Sequence, residues 1–232
     1  MHPIMSGIKV TNVRVSSFRS LLNIEVPLDD LTVLVGPNNA GKTSFLDALY
    51  AAIGAGRKVL GQDDIRLAPG ESLPPRNRDA VIDIKVRPVG DDGTIIERFP
   101  PGRYWTSLWG PNIVQDLSDF HEFMAFRTKL SWSLTRGDYT LDRRFLKNWQ
   151  PFDNWLSSET QNQKISSTQL EPIALHYIDA KRDLDDDLRK QGSFWRRLTD
   201  DLGLSEKDIR EFEEALTNLN QQIVDKSIHS IA

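Results

Sequence analysis

The chain has 232 residues, 39% of them hydrophobic and 27% charged, with no cysteine and a net charge of −4. That length allows one large domain or two small ones around an ample core, and the composition is that of a folded soluble protein. The negative balance excludes a whole-surface attraction for nucleic acid, and the lack of cysteine excludes a disulfide framework and thiolate chemistry, which suits a reducing cytoplasm. No apolar run reaches the ~18 residues of a membrane span. The start MHPIMSG lacks the basic-then-apolar form of a secretory leader, so no membrane partner is expected.

Ile8 to Val15 alternates as a strand does, and Ile24, Val26 and Leu28 repeat the period of two. Asp29-Asp30 supplies a turn. Leu31 to Val35 (LTVLV) is apolar and β-branched, and predicts a buried strand leading into Gly36–Thr43 (GPNNAGKT), which fits G-x-x-x-x-G-K-[ST] without a mismatch. Phe45, Leu46, Leu49 and Ala52 then recur at helical spacing, giving the strand, loop and helix order that a phosphate loop requires. A chance match in a chain of this length is expected roughly once in a hundred.

The residue types explain the chemistry. Gly36 and Gly41 permit backbone angles and close approaches that a β-carbon forbids, so successive N–H groups can face phosphate oxygens. Asn38, Asn39 and Ala40 contribute backbone, and the helix that starts near Lys42 and Ser44 adds its positive dipole end. Lys42 is the candidate catalytic cation for the β- and γ-phosphates. Thr43 is the candidate ligand of a bridging magnesium ion. The cofactors expected are therefore ATP and Mg2+.

With that loop, the run from Val15 to Leu49 (VSSFRSLLNIEVPLDDLTVLVGPNNAGKTSFLDAL) resembles the amino-terminal segment of the SMC, RecF and OLD (overcoming lysogenization defect) group of ABC-type ATPases. The similarity lies in the Phe-Arg-Ser turn, the strand ending in an acidic pair, and the G-x-N-x-[AS]-G-K-[ST] loop. It implies that Arg19, and less firmly Ser20, neighbours the nucleotide; the residue type alone equally fits a surface arginine at a turn.

Gly54 to Arg78 is rich in Gly and Pro and reads as loop with at most a short helical turn. Its cations Arg57, Lys58, Arg66, Arg76 and Arg78 are interleaved with acids, as on a solvated surface. Val81–Val86 and Thr94–Phe99 flank GDDG as a hairpin would, and Met124–Leu134 with Tyr139–Arg143 flank RGD as a second. The resemblance implies that these build an antiparallel sheet beside the nucleotide-binding sheet. Tyr104, Trp105 and Trp109 could stack on bases, but packing under a loop is the simpler reading.

Trp149 to Thr168 reads as a polar surface connection. Ile173 to Ile178 predicts a strand closing on Asp179, which has the form of a Walker B strand. Ala180 stands where ABC-type ATPases place a glutamate, so a plain strand-end aspartate is the preferred reading. The stretch YIDAKRDLDDDLRKQGSFWRRL resembles the segment ahead of the helical arm of OLD-family ATPases. Ser205 and Asp208 form a capping box there, and Ile209, Phe212, Leu216, Leu219 and Ile223 step as one helix face.

No signature run, no Asp-Glu pair after an apolar strand and no Toprim acidic cluster is found, and His2, His121, His176 and His229 occupy no switch context. The expected fold is α/β, a P-loop NTPase of ABC type with an additional antiparallel sheet and a C-terminal helical arm. Residues 1–180 form the ATP-binding lobe in this reading and 181–232 the arm. The resemblance implies the front part of an OLD-like ATPase, as a homodimer or with a partner chain supplying the rest, reaching DNA through the complete protein. A non-hydrolysing regulatory module and a RecF- or SMC-like head remain the alternatives.

Overall fold

Alternation along the first strands produces a sheet with two different faces. In the computed structural model, residues 7–54 and 60–175 are described, within the first of two units, residues 1–175. The strands are β1 (Gly7–Phe18), β2 (Leu21–Pro27), β3 (Ala80–Val89), β4 (Ile113–Gln115), β5 (Glu122–Ser133), β6 (Asp138–Leu146) and β7 (Thr160–Lys164). They form one seven-stranded sheet in the order β2-β1-β3-β5-β6-β7, with β4 also paired to β5. All these pairings are antiparallel.

Register sets the faces. Val13 lies opposite Ile84 and Val15 opposite Ile82, while Ile84 lies opposite Phe126. These side chains are buried together with Val86, Met124 and Leu130. Against them packs α1 (Lys42–Ile53), whose buried Phe45, Ala48, Leu49 and Ala52 recur at i, i+3, i+4 and i+7. Leu46, assigned to that face from the sequence, is instead exposed, and Ala48 takes the place.

On the opposite face one row carries charge. Arg14, Asp83 and Arg127 are neighbours across β1, β3 and β5. Asp83 receives two hydrogen bonds from Arg127, both 2.8 Å. Arg14 donates to the Gln150 carbonyl at 2.7 Å and stacks over Trp149 at 3.9 Å. The segment 149–158 covers this layer, so the expected polar connection is in fact a lid with a fully buried Trp155, whose indole N–H donates to Asn23. Its polar composition hid this because backbone carbonyls do much of the work, accepting from Arg127 at Leu156 and Trp155.

Other expectations need correction. Leu31–Val35 is not a strand and is not buried: Leu31, Val33 and Val35 are 82%, 70% and 88% exposed, and no described strand pairs with them. Only Leu34 packs on the core. A two-sided apolar strand needs neighbours on both edges and layers on both faces, and the described residues offer neither. Thr94–Phe99 forms no strand; it returns along β3 through an isolated bridge of Ile95 to Val89 and an Ile96 N–H bond to Pro88. The β5–β6 hairpin forms as expected.

The aromatic loop contains a short helix, α2 (Tyr104–Trp109), with Trp109 fully buried edge-on against Phe99. The Trp109 indole N–H donates to Gln169 of α3 (Ser167–Leu170), which settles packing over base stacking for this ring. Ile173–Leu175 is not a strand. The rest of that predicted strand, with Asp179 and the arm, lies outside the described residues. Among the described residues, no helix is long and apolar enough to cross a membrane.

Candidate phosphate-binding site

Helix α1 begins at the glycine the motif requires. Gly41 sits in the left-handed region at φ 91 and precedes the first intrahelical bond, from Phe45 N–H to Gly41 C=O at 2.9 Å. The preceding turn is closed by Ala40 N–H to Pro37 C=O, and Asn39 is also left-handed at φ 67. Alternating handedness of this kind turns successive N–H groups toward one point, the geometry of an anion nest. As N-cap, Gly41 has no side chain to accept from the first N–H groups of α1, which among the described residues leaves them with capacity for an external acceptor.

Lys42 is folded back on its own loop. Its ammonium donates to the carbonyls of Gly36 at 2.6 Å and Pro37 at 2.7 Å. A phosphate must replace both bonds, an exchange that favours the ligand because ammonium–phosphate bonds are charge-assisted at both ends. Thr43 is exposed, with no hydroxyl bond among the described residues. The Ser44 hydroxyl lies 2.8 Å from that of Ser20. Gly36, Asn38, Asn39 and Ala40 are exposed on the loop.

The donors fit a magnesium–nucleotide complex. Among the described residues no group of three or more His, Asp or Glu is placed to hold a metal ion by itself. A magnesium ion here would be held by the Thr43 hydroxyl and by phosphate oxygens, and it would supply charge neutralisation between the β- and γ-phosphates.

Arg19 is not a free surface arginine. Its Nε donates to Asp64 at 2.9 Å and its Nη1 to Asp47 on α1. The sequence reading missed both carboxylates, since Asp47 and Asp64 lie 28 and 45 residues away. One signal was available: Asp47 stands at i+3 from Ser44 and i+6 from Gly41, on one ridge of the helix.

The geometry agrees with two similarities to known proteins. Residues 8–99 match the model of a family described as an AAA ATPase domain. An OLD nuclease from Thermus scotoductus (strain ATCC 700910 / SA-01) is 48% identical over 42 residues, which are 18% of this chain and 8% of that protein. The matched stretch thus spans less than a tenth of that relative's length. The first match supports an ATPase domain over residues 8–99, and with the second, over its short stretch, it supports an OLD-like ATPase, amino-terminal part.

Proposed function

We propose that this chain, similar in its first part to the amino-terminal part of OLD-like ATPases, is the Mg-ATP-binding front part of a longer ATPase that couples the nucleotide to DNA processing by a nuclease. The observation that carries the ATP half is the phosphate loop: a left-handed Gly41, uncapped N–H groups at the start of α1, and Lys42 and Thr43 in adjacent positions. Support for the nuclease half is the likeness to the Thermus scotoductus OLD nuclease, over the short stretch it covers. Among the described residues Leu31–Val35 pairs with no strand, and such an apolar run leading into the loop is expected to be stable only between further strands. In this reading the complete protein works in the cytoplasm as a homodimer or with a partner chain, and DNA contacts lie outside the residues described.

Calorimetry on the 232-residue chain tests the ATP half. Magnesium-dependent ATP binding is expected in the wild type, with Lys42→Ala weakening it by at least about tenfold through loss of a charge-assisted contact. Thr43→Ala should remove mainly the magnesium-dependent part of the affinity. No binding by the wild type, or equal binding by Lys42→Ala, would falsify the reading.

A further inference from the structure

Three consecutive residues, Arg19 and Ser20 of the β1–β2 turn and Leu21 at the start of β2, meet three positions spaced by three, the N-cap Gly41 and Ser44 and Asp47 of α1. Leu21 backs onto Gly41: a Cβ added there would lie 2.7 Å from Leu21 Cδ2 and 3.2 Å from the Ser20 hydroxyl. Ser20 meets Ser44, hydroxyl to hydroxyl at 2.8 Å. Arg19 meets Asp47 through its guanidinium. Gly41, Ser44 and Asp47 form a single i, i+3, i+6 ridge, so the turn runs antiparallel along the first turns of the helix.

The same turn is anchored from behind. The Arg19 N–H donates to the Asp64 carbonyl at 2.9 Å, Arg66 N–H to the Ser17 carbonyl at 2.9 Å, and Phe18 bridges Ile65. Asp64 also accepts from the Gly61 N–H at 3.0 Å, which fixes its carboxylate. Arg19 and Ser17 both hold left-handed backbones, φ 49 and 54, an unfavourable conformation for side chains of this kind unless surrounding bonds impose it.

We infer that Arg19 is a positioning residue of the phosphate loop: by joining Asp47 on α1 to Asp64 behind the turn, it braces the Leu21 contact at Gly41 and so aims the loop's N–H groups. This rests on the ATP-binding reading above and goes beyond it, since Arg19 acts through two carboxylates and not as a ligand of the nucleotide. Its charge is spent locally. A loop displaced at Gly41 would still hold Lys42 yet lose the convergence of N–H groups that distinguishes a phosphate site from a lysine on a surface.

The test uses the whole 232-residue chain, with hydrogen exchange without nucleotide and calorimetry with Mg-ATP and Mg-ADP. Arg19→Ala is expected to lower the urea midpoint, since the buried Asp64 loses its partner, to speed exchange across residues 41–47 more than across β5 and β6, and to weaken ATP and ADP by the same factor, about tenfold. Asp64→Asn and Asp47→Asn should act in the same direction. Adding Asp64→Asn to Arg19→Ala should cost nothing more, because the pair acts as a unit. Arg19→Lys, whose single ammonium cannot stand at both the Nε position that meets Asp64 and the Nη1 position that meets Asp47, should not rescue fully. Tighter ATP binding in Asp64→Asn, or an effect of Arg19→Ala on ATP alone, would mean that Arg19 reaches the nucleotide and would overturn the inference. Unchanged exchange at 41–47 would overturn it as well. A wild-type chain that binds no nucleotide would sink the ATP reading, while the exchange result still decides the brace. Should Arg19→Ala fail to fold, Arg19→Lys and Asp64→Asn carry the same comparison.

Discussion

Gly41 is where a single missing β-carbon matters most. Its left-handed backbone costs a side chain about 1 kcal/mol or more, and the Leu21 side chain occupies the space that a Cβ would enter. Gly41→Ala is therefore expected to lose ATP binding and to lower the urea midpoint together, whereas Lys42→Ala should lose binding with stability intact. Equal midpoints for Gly41→Ala and wild type would contradict the geometry. On the far side of the sheet, Asp116 is decided by the same kind of local accounting. Burial alone would raise its carboxyl, but hydrogen bonds from Lys85, from the Ser118 hydroxyl and from the Ser118 N–H hold it far below the ordinary range. A depressed folded pKa contributes stability that is complete above the unfolded value, about 3.9, and is lost as pH falls below it. Lys85 opposes this in part, since burial lowers its own pKa. Asp116→Asn leaves Lys85 and Arg87 buried without their shared carboxylate, and should cost about 3 kcal/mol at pH 7. Urea unfolding at pH 7 and pH 3 should show that gap narrowing in acid; a gap that widens would mean another group carries the pair.

Between elements, the contrast is that of β3 with Leu31–Val35. Both are rich in β-branched residues, yet Ile84 in β3 is fully buried and Val33 is largely exposed. Ile84→Ala is expected to destabilise the chain by about 3 kcal/mol, from lost transfer energy and a cavity. Val33→Thr or Val35→Thr should change it by less than about 0.5 kcal/mol, as surface substitutions do. Chemical denaturation of the three variants checks this, and amides 31–35 should exchange rapidly in the same chain. A loss above about 2 kcal/mol for Val33→Thr would show that the segment is packed in solution. Polar cover shows the converse: segment 149–158 has little apolar periodicity, but it closes one face of the sheet because Trp155 and a series of backbone carbonyls suit the buried guanidinium groups of Arg14 and Arg127.

For the molecule as a whole, the proposed activity depends on groups that the described residues do not bring together. Phosphoryl transfer draws on positioned charge and an oriented water, and one such group contributes ~10³-fold or more. The phosphate loop offers the cradle, the lysine and the threonine hydroxyl, while the sequence holds no Asp-Glu pair after an apolar strand. The chain is thus expected to bind ATP but to hydrolyse it at least ~10³-fold more slowly than the complete ATPase. Steady-state phosphate release from both, with Lys42→Ala as the blank, checks the ratio. Lys42-dependent turnover of comparable size in the 232-residue chain would reveal an overlooked carboxylate, and Asp179 would be the first to substitute. A complete protein equally slow would instead favour a regulatory nucleotide-binding module.

What the sequence determined by itself is what depends on near neighbours. The glycine turn ahead of α1, α1 itself, the strands β1 and β2 and the β5–β6 hairpin were legible because each is specified within a few residues, by glycine at a left-handed position, by helical or alternating periodicity, or by a tight turn. Three other features were decided only by the tertiary structure. The two carboxylates that take Arg19 come from distant parts of the chain, and so does the burial of Trp155 under the sheet. The exposure of Leu31–Val35 is of the same kind. Periodicity and β-branched content state that a segment can be a strand; whether it is buried depends on which other strands stand beside it, and no local pattern carries that information.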